Sequence, residues 1–310
     1  MSQLLAGAGP YSLTKTWYVD GTPTDVGDVT IGVTDGNGGE VVAPLTATTN
    51  NADGTYTYSL ADQANPNILT VTWTRSDTGA DLKDRLELVG GWLFTEAQAR
   101  AFSAKADATS ALVPLASETE YPDATIADER ARITEDLEYW TARGWVPRYA
   151  RLELAGNGGS SLSLRDGFCR TADGHNLHRP GRLSDISQIL SVTVSGTSVT
   201  TTNVEVDPVR ARLIRTDSGL WTLPTTSSPY NVVVEYAYGL PYLVDGVDRV
   251  ALKILVDRLV PSAWPDRVLS ADTEYGTTRF VQPGGPMHNV SRLPEVNDWV
   301  NRHDHRIMVG

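Results

Sequence analysis

Apolar side chains recur at every second position through the first ninety residues. Val29, Ile31 and Val33 share one face of an extended segment, Tyr56, Tyr58 and Leu60 a second, and Leu69, Val71 and Trp73 a third. Leu13 to Val19 reads as a first strand, and Leu82, Leu86 and Leu88 close the series. The turns between them are rich in Gly, Asp and Asn: DGNGGE after Thr34, Asn51 to Gly54, and SDTGAD after Arg75. Short alternating strands at this spacing predict an all-β sandwich over residues 1–90.

The period changes at Gly90-Gly91, which reads as a hinge. Thr95, with Gln98 three residues on, predicts a capped short helix. Ile126, Ile133, Leu137 and Trp140 then fall at spacings of seven, four and three, one face of a helix over about 123–143. Asp128, Glu129, Arg132, Glu135, Asp136 and Glu138 fall largely away from that stripe, as a solvated or subunit-facing surface. Pro122, Asp123 and a Thr125/Asp128 capping box supply its start, and Gly144 its stop. From Arg148 to Gly239 the period returns to two: Tyr149, Arg151 and Glu153 alternate with Ala150, Leu152 and Leu154, and Ser195-Gly196 marks a hairpin. A second helix over about 246–260 carries Val247, Val250, Ala251, Ile254, Leu255 and Leu259. Residues 270–292 are Gly/Pro-rich and read as mobile, and Pro294 to His303 forms a last short helix. The expected architecture is two domains. Residues 1–90 are all-β. Residues 91–310 form an α+β unit whose two main helices flank a β-rich insertion, 148–239, and whose C-terminal arm covers 270–310. Leu137 and Ile254 are its expected core anchors.

Charge narrows the function classes. The 310 residues carry a formal net charge of −12, and Lys15, Lys83, Lys105 and Lys253 are the only lysines. Tight DNA binding needs clustered cations, so an acidic chain without a basic block argues against it. A surface that lets DNA pass without sticking is compatible. Cys169 is the only cysteine, which excludes an intrachain disulfide and fits a reducing cytoplasm. MSQLLAGAGP has no basic segment followed by an apolar run, so no signal peptide is expected, and no stretch approaches a membrane span of about twenty apolar residues.

Catalytic motifs are missing: there is no P-loop, no G-x-S-x-G and no H-E-x-x-H. Cys169, His175 and His178 are the best metal candidates, but they offer three ligands without finger-type spacing and read as part of a solvated loop. His303 and His305, two apart on the last helix, point to different faces. Glu135 and Glu138 read as helix surface rather than as an acid/base pair. No enzymatic activity, cofactor or metal is expected.

Two resemblances remain. DGTYTYSL resembles the penultimate-strand pattern of bacterial and phage Ig-like modules, and Lys15 in an early strand is similar to the lysine of self-crosslinking members, although the Asn of a last strand is missing. From Gly90 onward, GGWLFTEAQARAF, YPDATIADERARITEDLEYW, WVPRYARLELAGNG, VVVEYAYGLP, DRVALKILVDRLVPSAWPDR and PEVNDWVNRHD together resemble the head-to-tail connector (adaptor) proteins of long-tailed phages, especially those of actinobacterial hosts. The resemblance implies a homo-oligomeric ring, expected to be about twelve-fold, that joins the portal protein to the next neck or tail-completion protein and lines the DNA channel. Such a ring assembles in the host cytoplasm, resides in the virion and needs no membrane. Glu129, Arg132, Asp136 and Arg143 are candidate ring contacts. Val296, Trp299 and Val300 are candidates to fill a groove on the portal, with Arg302, His303 and Arg306 at its rim; alternatively Trp299 packs back on the chain's own helices. The N-terminal module is expected to project outward, to make few contacts across the Gly-Gly hinge and to be dispensable for ring assembly. Rival readings are a host-surface or carbohydrate-binding adhesin and a metal-dependent hydrolase using the loop 166–185.

Overall fold

The computed structural model describes residues 2–102, 115–165, 167–169, 185–208, 210–226, 229–240, 242–243, 246–260, 270–273, 276–279, 290–291 and 293–303. Strand outweighs helix. The chain divides into two compact units that cut across its order. The first holds Met1–Gly91 and most of the chain between Pro147 and Pro241; the second holds Trp92–Val146 and the described residues from Tyr242 onward.

The first unit contains two β lobes. In the N-terminal lobe the strands are β1 (Ser2–Leu5), β2 (Tyr11–Thr16), β3 (Tyr18–Val19), β4 (Thr22–Pro23), β5 (Val29–Thr34), β6 (Glu40–Ala47), β7 (Thr49–Asn50), β8 (Thr55–Leu60), β9 (Asn67–Arg75) and β10 (Asp81–Val89). They form a five-stranded sheet in the order β1-β10-β9-β5-β6 and a three-stranded sheet β2-β8-β7, with β3 and β4 as a separate hairpin. Alternation sends Ile31, Val33, Leu69, Val71, Trp73 and Leu88 of the first sheet and Leu13, Tyr56 and Leu60 of the second into one core.

The other lobe is built from β11 (Arg148–Leu154), β12 (Ser161–Ser163), β13 (Phe168–Cys169), β14 (Ile186–Val194), β15 (Thr197–Val199), β16 (Val204–Asp207), β17 (Arg212–Arg215) and β18 (Val232–Tyr238). Again there is a five-stranded sheet, β13-β11-β18-β14-β15, and a three-stranded one, β12-β17-β16. Leu152, Val192, Val234 and Tyr236 of the larger sheet meet Leu162 and Leu213 of the smaller around Trp221. Ser195 (φ 51°) and Gly196 (φ 79°) make the β14–β15 hairpin turn, where two left-handed residues match the twist of the strands.

In the second unit, α1 (Glu96–Ala101) opens with the expected capping box: Thr95 Oγ1 accepts from the Gln98 amide and Gln98 Oε1 from the Thr95 amide. Arg100 then ties α1 to the start of the next helix, donating to the carbonyls of Leu115 and Tyr121 and pairing with Asp123 at 2.5 Å. Helix α2 (Asp123–Thr141) buries Ile126, Ile133 and Leu137 completely, as the periodicity predicts, while Trp140 is half-buried. Its termini differ from the sequence reading. Pro122, not Thr125, is the N-cap, and no side chain caps it. The stop is Ala142 in the left-handed region (φ 52°), two residues before Gly144, with its amide bonded to the Glu138 carbonyl. Helices α3 (Val247–Leu259) and α4 (Pro294–His303) pack on α2 and on each other, burying Val247, Ala251, Ile254 and Leu255. Within the stretch read as mobile, β19 (Ser270–Thr273) and β20 (Gly276–Arg279) pair as a hairpin, and residues 280–289 lie outside the described ones.

Candidate functional site

Two places concentrate polar chemistry. One is on the helical unit. The flank of α2 beside the apolar stripe is polar yet buried: Arg130, Thr134, Glu138 and Thr141 are buried at helical spacing. Arg130 pairs with Glu96 at 2.8 Å, donates to the Phe94 carbonyl and lies 3.8 Å over the ring of Trp92. Burial lowers its pKa, and Glu96 opposes that shift by holding the charge in place. Glu138, expected on the surface, is 3% exposed and accepts from the Trp145 amide. These contacts commit one polar flank of α2 to its own chain and leave the face of Asp128, Arg132 and Glu135 exposed.

The candidate ring contacts divide accordingly. Glu129 pairs with Arg132 at 2.7 Å and lies 3.5 Å from Arg258 of α3, and Asp136 also pairs with Arg258. Arg143 is half-buried with its guanidinium 5.2 Å over the Trp145 ring. Arg132, 69% exposed, is the one of the four whose side chain is mostly presented to solvent. Asp128 and Glu135 are exposed on the same side of the helix.

The C-terminal candidates are also placed within the chain. Val296, Trp299 and Val300 are at most 3% exposed. Trp299 lies 5.0 Å from Trp145, and His303 stacks on it at 4.2 Å and meets Trp145 edge-on at 5.7 Å. The apolar stripe expected to fill a neighbour's groove therefore fills a pocket of its own unit, because the turn after α2 delivers Trp145 to it. Asn297 secures the start of α4: its Oδ1 accepts from the amides of Val290 and Ser291, and its Nδ2 donates to the Ser291 carbonyl. Lys253 of α3 pairs with Glu295 of α4. Arg302 is exposed at the end of the helix, and Arg306 lies outside the described residues.

The second place is a seam inside the first unit. All seven residues of β11 are buried. Ala150, Leu152 and Leu154 face their own lobe's core, while the alternate face, polar in sequence, meets the N-terminal lobe. Arg148 holds Glu87 of β10 through two hydrogen bonds, 2.6 and 2.7 Å, with both side chains no more than 6% exposed. Gln3 of β1 donates to the same carboxylate at 2.8 Å. Arg151 pairs with Glu153 at 2.6 Å and donates to Asn37 Oδ1 at 3.2 Å. The Tyr149 hydroxyl donates to Glu235 at 2.7 Å, and Ser191 donates to the other oxygen of that carboxylate. Burial, reinforced by the charge of Glu235, pushes the Tyr149 phenol well above its usual range, so it stays a neutral donor.

Two glycines let the backbones approach. A Cβ on Gly36 would sit 2.5 Å from the Tyr149 ring, and one on Gly90 would sit 2.7 Å from Pro147 Cβ. The Gly90 amide donates to the Pro147 carbonyl at 2.7 Å. The expectation of few contacts across a free Gly90-Gly91 hinge is corrected here: β11 returns directly onto the strands that precede the glycines. The sequence shows the alternation of β11 but not that both of its faces are covered.

Elsewhere in the N-terminal lobe a cleft of about 570 Å³ lies along β2, lined among others by Leu13, Lys15, Trp73 and Asp84. Lys15 is 2.8 Å from the Asp84 carboxylate, which also accepts from the Trp73 indole at 3.1 Å. Among the described residues no three or more His, Cys, Asp and Glu side chains gather to hold a metal. Cys169 is buried, and His175 and His178 lie outside the described residues. No helix of the described residues is long and apolar enough to cross a membrane. No protein-family model matches the chain, and no curated protein matches it.

Proposed function

We propose that the chain is a non-catalytic subunit of a phage head-to-tail connector: a ring, about twelve-fold, that joins the portal to the neck and lines the DNA channel of the virion. The observation that carries the reading is the interrupted helical unit. Helices α1 and α2 precede the inserted strands, α3 and α4 follow them, and all four pack as one body. That is the order and arrangement the resemblance from Gly90 onward implies. The net charge of −12 suits a channel that DNA crosses without adhering. In this reading Arg132, with Asp128 and Glu135 beside it, belongs to the contact between copies, and the portal contact uses exposed groups such as Arg302 rather than the buried Trp299. The N-terminal lobe, with strands in two facing sheets, is read as an Ig-like module.

The adhesin reading has less support. Sugar binding by stacking needs an exposed ring face. Tyr56 and Trp73 are buried, and Tyr58 is half-buried. The test of the connector reading is a pull-down of portal-bearing heads by the purified full chain. Specific capture of those heads, and not of heads lacking the portal, is the expected result; equal or no capture contradicts it.

A further inference from the structure

We infer that the N-terminal lobe is not a tethered decoration but a permanently clasped brace of the inserted β lobe, with strand β11 as its docking element. This rests on the connector reading only for its biological setting; the clasp itself follows from the seam.

A flexible appendage would meet its neighbour through a wet, rim-like surface. The seam is the opposite. Glu87 and Arg148 have left water almost entirely, and each is the other's bidentate partner. A buried charge tolerates loss of its partner poorly, so such a pair holds only while the two lobes stay together. Gly36 and Gly90 remove the side chains that would hold the backbones apart. Arg151, on the other face of β11 from Arg148, reaches Asn37 and gives the contact a second fixed point. Three separated points, at residues 36–37, 87 and 90, define an orientation, not merely a proximity. The consequence concerns charge. Residues 1–91 carry eleven acidic against four basic side chains, whereas residues 147–241 carry eight against nine. Clasping therefore holds an acidic lobe at a set position on a nearly neutral one, where a tether would let it sweep.

The experiment uses the full chain with a protease site inserted between Gly91 and Trp92, cleaved after folding. The expected result is that residues 1–91 co-elute with the remainder in size exclusion without denaturant. Glu87→Gln in the same cleaved chain should weaken the association about 10²–10³-fold, so that the pieces separate on dilution. The paired change Glu87→Met with Arg148→Leu, which leaves no stranded charge, should restore co-elution. Separation of the cleaved parent protein, or co-elution of the Glu87→Gln form down to the lowest concentration measured, overturns the inference. Neither outcome depends on whether rings form. A parent protein that co-elutes but never assembles would leave the clasp standing and remove the connector reading.

Discussion

Glu87 and Arg148 illustrate how one residue's environment sets its energetic role. Removing either member takes a bidentate charged partner from a buried group, so Glu87→Gln or Arg148→Met is expected to lower the stability of the first unit by about 3–5 kcal/mol in urea titrations. Replacing both by apolar residues of similar volume should be close to neutral, and a double-mutant cycle separates the two cases. Ala142 offers a change in the other direction. It sits in the left-handed region (φ 52°), where a Cβ crowds the following carbonyl, so Ala142→Gly should raise stability by about 1 kcal/mol. Asp217, bonded by the Arg215 guanidinium and the Gly219 amide, has its pKa lowered to about 2. Its folded value lies below its unfolded one. The stabilisation is thus present above an unfolded pKa of about 3.9 and lost as pH falls through about 2. Carboxyl NMR should find Asp217 still ionised at pH 3, and Asp217→Asn should flatten that part of the acid profile. Little of this was legible beforehand. Arg151 and Glu153 alternate with leucines in the same way whether their face meets water or a second lobe, so a period of two cannot distinguish the cases.

At the scale of elements, periodicity carried further. Ile126, Ile133 and Leu137 on α2, and Ala251, Ile254 and Leu255 on α3, are buried where helical spacing puts them. Leu137→Ala and Ile254→Ala should each cost about 2–5 kcal/mol, since each empties a packed position. Thermal unfolding that shifts for neither variant would contradict the helix pairing. What spacing could not show is α2's second buried face, because Arg130, Thr134, Glu138 and Thr141 are polar and their burial depends on partners such as Glu96 and Trp145, brought by the fold. The same limit applies to α4. Its amphipathic stripe was plain, but not whether Trp299 would meet a partner or its own chain. With Trp299 packed on Trp145 and His303, Trp299→Ala should unfold α4 and cost about 3–5 kcal/mol. Unchanged amide protection in α4 by hydrogen exchange would contradict that packing.

In the whole molecule, the strands inserted between α2 and α3 belong to the same compact unit as residues 1–91. Local patterning encodes elements well and long-range association poorly, since Glu87 and Arg148 are 61 residues apart and nothing in either segment names the other. Deleting residues 1–89 should therefore not yield a shorter, well-behaved protein. It would expose Arg148, Tyr149, Arg151 and Glu153 and leave the edge of the seam open, and the expected outcome is a large loss of soluble material on expression. The proposed function requires this chain to close into a ring, and negative-stain imaging of the purified chain distinguishes a ring from a single chain. Closed rings of about a dozen copies around an open channel are the predicted result, and particles that remain single chains at every concentration and salt, with portal present or absent, would contradict it.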